Sequence, residues 1–416
     1  MKIVQINAVC GKGSTGRLAV DIATEAENQG HLCYIAYGHG STKYKHSYKI
    51  GNRIEHLLHN IVFSRILGLQ GYGSVFTTLK FINWLRCIKP DIIHIHNLHA
   101  NYINYRILFR YIRKHNLPVI FTLHDCLNFT GKCTSFTSAS CVKWKTECNK
   151  CPLFRQSGVP SLFFDRSTKI FRDKKRTYSR LEKCKSFAVS KWLRDQALES
   201  ILDVKDGSVG YIYNWIDYDV FKPSTDEMIV EFRSKYNLSD KHKYLISVSQ
   251  DWSLSEIRTQ DALRIAEKLP EEFRLILVGR MYKQQTLPPN IIHIPYISSQ
   301  SELATAYSVA FAYIHLSIQD TFGLVIGEAM ACGTIPITYN STACAETPSN
   351  FGIIVPPRDT DAIINALPLI EQKRLHSQEM IDFVKATYDK KTNINKYIEE
   401  YQQLAEDEVQ CNSTGL

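Results

Sequence analysis

The sequence predicts an α/β protein built from two doubly wound, Rossmann-like halves, and three observations carry that prediction. Short apolar segments alternate with stretches of helical periodicity through the first 125 residues, the pattern of a parallel sheet covered on both faces. The same alternation restarts after residue 213. A length of 416 residues exceeds what one hydrophobic core organises and suits two domains of about 200 residues each.

In the first half, KIVQINAV (2–9) reads as a buried strand, residues 11–16 as a glycine-rich turn and residues 17–29 as a helix closed by Gly30. CYIAYG (33–38) is a second strand, and residues 79–88 form a helix broken by Pro90. DIIHIHN (91–97) is a short buried strand, residues 105–115 a helix and LPVIFTLHD (117–125) the next strand. In the second half, strands at 244–249, 274–279 and 312–316 alternate with helices at 260–269 and 301–307. Ligands of such sheets bind outside the carboxyl ends of the strands. A last helix spans 392–406, and the polar residues 407–416 are expected to fray.

The composition, 44% hydrophobic and 22% charged, is that of a globular protein. No apolar run approaches the roughly 18–20 residues that cross a bilayer, so a cytoplasmic protein, or one attached to a membrane face, is expected. The net charge of +9 conceals an asymmetry: residues 1–210 carry +18 and residues 211–416 carry −9. A basic half joined to an acidic half implies different partners for each. Anionic lipid, a lipid-linked phosphate and nucleic acid would all satisfy the basic half.

The stretch 317–346, SIQDTFGLVIGEAMACGTIPITYNSTACAE, carries the strongest chemical signal. Asp320 precedes Phe322 and Gly323, and residues 324–331 then favour helix until Cys332-Gly333 ends it. The backbone N–H groups of that helix start suit a phosphate or a sugar oxygen. Eight residues of helix cover roughly 12 Å, enough for Asp320 and Glu328 to address two ends of one ligand. The plain alternative is an acidic cap on the helix dipole. Glu346 and Phe351-Gly352 downstream add polar and glycine-rich material to the same region.

This segment resembles retaining glycosyltransferase family 4, whose signature sets an acidic residue eight positions before the Glu of Glu-Ala-Met-Ala-Cys-Gly. Asp320 stands where that family usually has Glu, the run 328–333 matches as written, and Ala345-Glu346 replaces Pro-Glu. The resemblance extends through MKIVQIN, GSTGR (13–17) and LHDC (123–126), a pattern similar to that of bacterial capsule and exopolysaccharide enzymes. SKWL (190–193), YNWID (213–217) and FKP (221–223) fit the same family, with Trp215 in place of its usual Gly. It implies the GT-B fold: two Rossmann-like domains facing a central cleft, with donor on the second half and acceptor on the first. The implied divisions are 1–210, with a Cys-rich insertion at 126–151, then 211–390, then a crossover helix and tail at 391–416.

The resemblance also implies roles. Glu328 holds the donor ribose, while Asp320 and the amides of Phe322, Gly323 and Leu324 hold the sugar. His124, at a strand end where a histidine is more often structural, contacts the donor sugar and polarises the transition state. The donor's own leaving phosphate accepts the acceptor proton. Family members stabilise that phosphate with an Arg-Lys-Gly loop. Here Arg258 is the sole cation between Trp252 and Asp261, and it is the candidate for this role. The loss of one such contact, about 2 kcal/mol, slows transfer more than tenfold unless Arg280 or helix dipoles compensate, and the missing Arg-Lys-Gly leaves a non-catalytic relative of the same fold as the alternative reading. Gly13, Gly16 and Arg17 form either a plain strand-to-helix turn or a phosphate cradle, and the resemblance favours the cradle. Asp217-Tyr218-Asp219 imitates a metal-binding Asp-x-Asp but belongs to YNWID, so no cofactor is expected for catalysis.

Twelve cysteines without a secretory context argue against a disulfide framework. Cys133, Cys141, Cys148 and Cys151 cluster near Cys126, and Cys148-Asn149-Lys150-Cys151 has CxxC spacing. A structural zinc, reduced thiols and a redox pair are the three readings. Two basic segments, Arg106 to Lys114 and the nine Lys or Arg between residues 166 and 185, are either solvated helix faces or an attachment to anionic lipid. The apolar stretch 54–69 would add a wedge to the latter. The expected partners are a nucleotide-sugar donor, a saccharide or lipid-linked saccharide acceptor, and an anionic membrane at the inner face. No nucleic acid is expected, because a nucleic-acid role leaves Asp320 to Glu346 without a function.

Overall fold

The computed structural model describes residues 1–156, 160–203, 207–281 and 286–413, with side chains through 406. The chain forms two compact units, one of Met1–Ile212 with Lys391–Leu416 and the other of Tyr213–Lys390.

The first unit holds a seven-stranded, wholly parallel sheet. Its strands are β1 (Lys2–Val9), β2 (Leu32–His39), β3 (Ser47–Lys49), β4 (Ile92–Ile95), β5 (Val119–Leu123), β6 (Cys184–Ala188) and β7 (Val209–Tyr211), in the order β3-β2-β1-β4-β5-β6-β7. The strand order reverses beside β1, and Ile3, Val4 and Ile6 there are fully buried. The sheet's apolar runs follow from this, because a parallel strand is covered on both faces. The glycine-rich turn is shorter than the sequence suggests: the helix Gly13–Asn28 begins inside it, and Gly11 N–H donates to Gly16 O at 2.9 Å. A Cβ at Gly16 would be crowded, 3.1 Å from Val9 Cγ2 and 3.2 Å from the Gly11 nitrogen.

Several elements of this unit escape the sequence reading: β3, β6, β7, the helix Lys191–Leu198, the helix Arg53–Leu58 and the π-helical turns His59–Ile66 that continue it. The last helix, Lys390–Ser413, continues beyond the expected end at residue 406; residues 414–416 lie outside the described residues. It presents Ile394, Tyr397, Ile398, Tyr401 and Leu404 inward at helical spacing, all buried. Tyr397 accepts a hydrogen bond from Thr122 of β5 at 3.0 Å, and Lys185 of β6 pairs with Glu400 at 2.5 Å.

The second unit holds a six-stranded parallel sheet of β8 (Lys243–Asp251), β9 (Phe273–Arg280), β10 (Ile291–Ile294), β11 (Ala312–His315), β12 (Pro336–Tyr339) and β13 (Ile353–Val355). Its order is β10-β9-β8-β11-β12-β13, so the reversal falls beside β8 and β11. The β8–β9 register shifts between Val248 and Asp251. Trp252 folds back there with 1% exposure and donates through Nε1 to Val278 O at 3.0 Å. Gly279 permits this approach, because a Cβ would stand 2.3 Å from Ser249 O. Among the described residues no helix is long and apolar enough to cross a membrane.

Candidate active site

The loop after β11 organises the second unit's site. Gly323, at φ +80°, caps the helix Leu324–Ala331, and no side chain occupies the cap. The left-handed conformation explains the glycine, and the unblocked helix start leaves its positive end for a ligand. Asp320 is therefore not a helix cap. Its carboxylate accepts from His315 Nε2 at 2.7 Å, while His315 Nδ1 meets the Tyr313 hydroxyl at 2.9 Å. Burial opposes charge on His315, but the Tyr313 and Cys344 side chains and the Asp320 hydrogen bond outweigh it, raising the imidazole pKa well above its ordinary value.

Backbone contacts hold the loop's shape. Asp320 N–H donates to Thr342 Oγ1 at 3.1 Å, and Ser341 Oγ donates to Ile318 O at 2.8 Å. Thr347 Oγ1 donates to Phe322 O, and Tyr388 OH to Thr347 O at 2.9 Å. Glu346 accepts from Tyr213 OH at 2.7 Å, which makes it a brace of this region. Glu328 sits on the buried side of the helix, 7% exposed, with the Tyr307 hydroxyl 3.5 Å from Oε2. His315, Asp320 and Cys344 bring three ligand-type atoms within 4.8 Å of one another. Those atoms serve hydrogen bonds, with Cys344 directed at Ser317 O at 3.5 Å.

The structure thus gathers Asp320, Phe322, Gly323, Leu324 and Glu328 on one loop and helix. Arg258 lies elsewhere in the same unit, second in the helix Ile257–Lys268 and bonded to Ser249 Oγ of β8 at 2.9 Å. Arg280, at the end of β9, lies over the Tyr296 ring at 5.0 Å. Asp217 accepts from Asp219 N–H at 3.2 Å in a local turn and lies 3.7 Å from Lys390.

In the first unit, Gly13 opens its helix at φ +64°, without a side-chain cap, and Arg17 is exposed one turn on. His124 follows β5 in a chain of imidazoles. Gln5 Oε1 meets His96 Nε2 at 2.7 Å, and His96 Nδ1 meets His124 Nε2 at 3.0 Å. An amide oxygen only accepts, so His96 carries its proton on Nε2 and His124 donates from its own Nε2. Burial drives His124 down to about 4 and His94 to about 3, so both are neutral at pH 7. His99 pairs with Asp125 at 3.0 Å, and Asp125 also accepts from Leu127 N–H at 2.8 Å.

Sequence reasoning missed His315, Gln5 and His96. The only local signal for His315 is a histidine ending a buried strand five residues before an acid. The basic run 166–185 proves largely paired: Lys174 is buried against the carbonyls of Leu127 and Thr130, and Arg172 and Arg176 bind Glu147 and Asp173.

Two wholly parallel α/β units, one with an uncapped helix start between an acid and a buried glutamate, define a GT-B glycosyltransferase. Residues 15–220 match the family model described as Glycosyltransferase Family 4, and residues 228–387 match Glycosyl transferases group 1. The chain belongs to glycosyltransferase family 4. It is 24% identical over 367 residues to WcaC of Escherichia coli K12, named for glycosyl transfer in colanic acid biosynthesis, covering 85% of this chain and 86% of that one. A glycosyltransferase from Rickettsia africae superposes with a TM-score of 0.68 at 16% identity, covering 97% of this chain and 98% of that one. Anabaena HepE, solved with UDP and glucose, gives 0.68 at 14% identity, covering 97% and 100%.

Proposed function

We propose that this enzyme moves a sugar from a nucleotide-sugar donor to a hydroxyl of a lipid-linked saccharide, with retention, in surface polysaccharide assembly. The carrying observation is the pairing of an uncapped helix start at Gly323 with a fixed carboxylate, Asp320, before it and a buried one, Glu328, within it. In this reading Glu328 accepts from the donor ribose hydroxyls. Asp320, fixed by His315, accepts from a sugar hydroxyl, and the amides of Phe322, Gly323 and Leu324 donate to the sugar. Arg258 and the helix starts, including Gly13, Gly16 and Arg17, stabilise the departing diphosphate without a metal. The acceptor oxygen bonds to the anomeric carbon as the phosphate oxygen leaves from the same face, taking the acceptor proton. Neutral His124 polarises the sugar. The names of WcaC and of the UDP-bound HepE support the pathway and donor class.

The first unit supplies reasons to place the acceptor on lipid. A cavity of about 460 Å³ is lined by His39, Lys49, Arg53, His56, Asn60 and Asn101, a set suited to phosphate and sugar hydroxyls. Beside it, the helical segment 53–66 exposes Ile54 (71%), Leu57, Leu58 and Ile61. Leu162 N–H donates to Arg65 O at 2.7 Å, which brings exposed Leu162, Phe163 and Phe164 against the same segment. These apolar groups, with exposed Arg53 and Arg65 on the same segment, fit the headgroup boundary of an anionic membrane, here the inner face of the cytoplasmic membrane.

Thermal unfolding with a panel of UDP-, GDP-, ADP- and CMP-sugars tests the donor site. A ligand at a hundred times its dissociation constant adds about 2.7 kcal/mol of stability. One nucleotide class should shift the transition, and Glu328→Ala should abolish that shift while keeping the fold. No shift with any of them would remove the donor reading.

A further inference from the structure

We propose that Cys133, Cys141, Cys148 and Cys151 bind one zinc ion as a tetrahedral thiolate site that staples the insertion after β5 to the first unit. This inference is independent of the donor chemistry. All four side chains line one small cavity of about 20 Å³, enough for a single ion. Cys126, the remaining cysteine of the segment, does not line it. None of the four is in a disulfide. The Cys133 and Cys151 sulfurs stand 3.9 Å apart, far beyond a sulfur–sulfur bond. Two thiolates on a tetrahedral zinc with Zn–S near 2.3 Å lie about 3.8 Å apart. No three of the four sulfurs lie within 4.8 Å of one another; Cys133 and Cys151 stand at zinc spacing, and binding requires both Cys141 and Cys148 to close on the ion by side-chain rotation.

The surroundings suit such an ion. Gly131 N–H points at Cys148 Sγ from 3.2 Å, and Cys151 N–H is fixed by Asp165 Oδ2 at 2.6 Å. Buried Lys132, bonded to Phe154 O at 3.3 Å, also lines the cavity and offsets the negative charge of four thiolates. Between β5 and the helix Ser167–Tyr178 the described residues form only two short 3₁₀ turns, Thr137–Ala139 and Lys143–Lys145. Trp144, packed on Phe129 and Phe136, is the main apolar centre of this segment. So long an irregular loop needs a cross-link to hold one shape, and a closed zinc site supplies it.

The full chain, purified with reductant, would be reconstituted with zinc, desalted and measured for metal by mass spectrometry. One zinc per chain is expected. Cys148→Ser and Cys151→Ser should each lower it at least tenfold, and Cys87→Ser, at an exposed cysteine, should leave it unchanged. If the serine variants do not fold, native mass spectra of the wild-type chain and its cobalt-substituted form decide. One bound ion with the absorption of tetrahedral cobalt thiolate supports the site. A metal-free folded chain, or a Cys133–Cys151 disulfide in peptide maps, overturns it.

Discussion

His124 Nε2 stands 3.0 Å from His96 Nδ1, and the two rings stack with centroids 5.3 Å apart. The contact ties the residue at the end of β5 to a neighbour whose tautomer Gln5 fixes. In the proposed mechanism His96 acts as a positioning residue for His124. His124→Ala should lower kcat by about a hundredfold while sparing the donor-induced thermal shift. His96→Leu should cost about tenfold in kcat through misorientation, with KM little changed. Equal loss of donor binding in both would sink the assignment.

The pH dependence of stability separates two groups of histidines. His94 and His124 have folded pKa values of about 3 and about 4, below the unfolded 6.5. Between those limits the unfolded chain binds more protons, so stability is full above pH 6.5 and falls as pH drops toward 4 and then 3. The slope approaches about 1.4 kcal/mol per pH unit for each histidine. His315 has a raised folded pKa, so its contribution is full below pH 6.5 and is lost as pH rises into the alkaline range. Denaturant melts from pH 4 to 10, compared with His315→Gln, should show the alkaline arm flatten in the variant.

Gly323→Ala tests the loop that carries the proposed donor site. The new Cβ would lie 2.7 Å from Ile326 Cδ1 at φ +80°. A strain of about 1–2 kcal/mol is expected, lowering the second unit's Tm by about 2–8 °C. An unchanged melting curve with unchanged activity would show that the helix start can be rebuilt without glycine.

Tyr401 OH meets buried His94 Nδ1 at 2.5 Å. Tyr401→Phe should destabilise the first unit by about 1–3 kcal/mol, since it strands a buried acceptor. Urea unfolding followed by tryptophan fluorescence would read this.

Membrane attachment through residues 53–66 and 162–164 predicts binding to anionic vesicles that high salt weakens. Ile54→Glu with Phe163→Glu should reduce binding at least tenfold. Flotation with neutral vesicles is the control, and equal capture by them would remove the electrostatic part of the argument.

The contrast between legible and hidden features has a physical basis. The span from Asp320 to Gly333 could be read because turn, helix and stop are encoded by adjacent residues, and the glycines at 323 and 333 mark its ends. The central strands β1, β2, β4 and β5 of one sheet and β8, β9 and β11 of the other were readable from apolar alternation, whereas the remaining strands, each only three to five residues long, were not. His315 and His96 were not, because their roles come from partners brought together by folding; Gln5 is 91 residues from His96. β3 spans only three residues, and the π-helical turns at 59–66 break the period by which a helix is recognised. Lys174 looked like one more surface cation because nothing local reveals two carbonyls waiting in the interior.

The return of the helix Lys390–Ser413 to the first unit has a consequence for biosynthesis. The residues that cover His94 and Thr122 emerge from the ribosome only after the whole Tyr213–Lys390 unit has been made. At about 5–20 residues per second, that interval lasts roughly 10–40 s. Throughout it the nascent first unit lacks Tyr397 and Tyr401, leaving an apolar face open to chaperones.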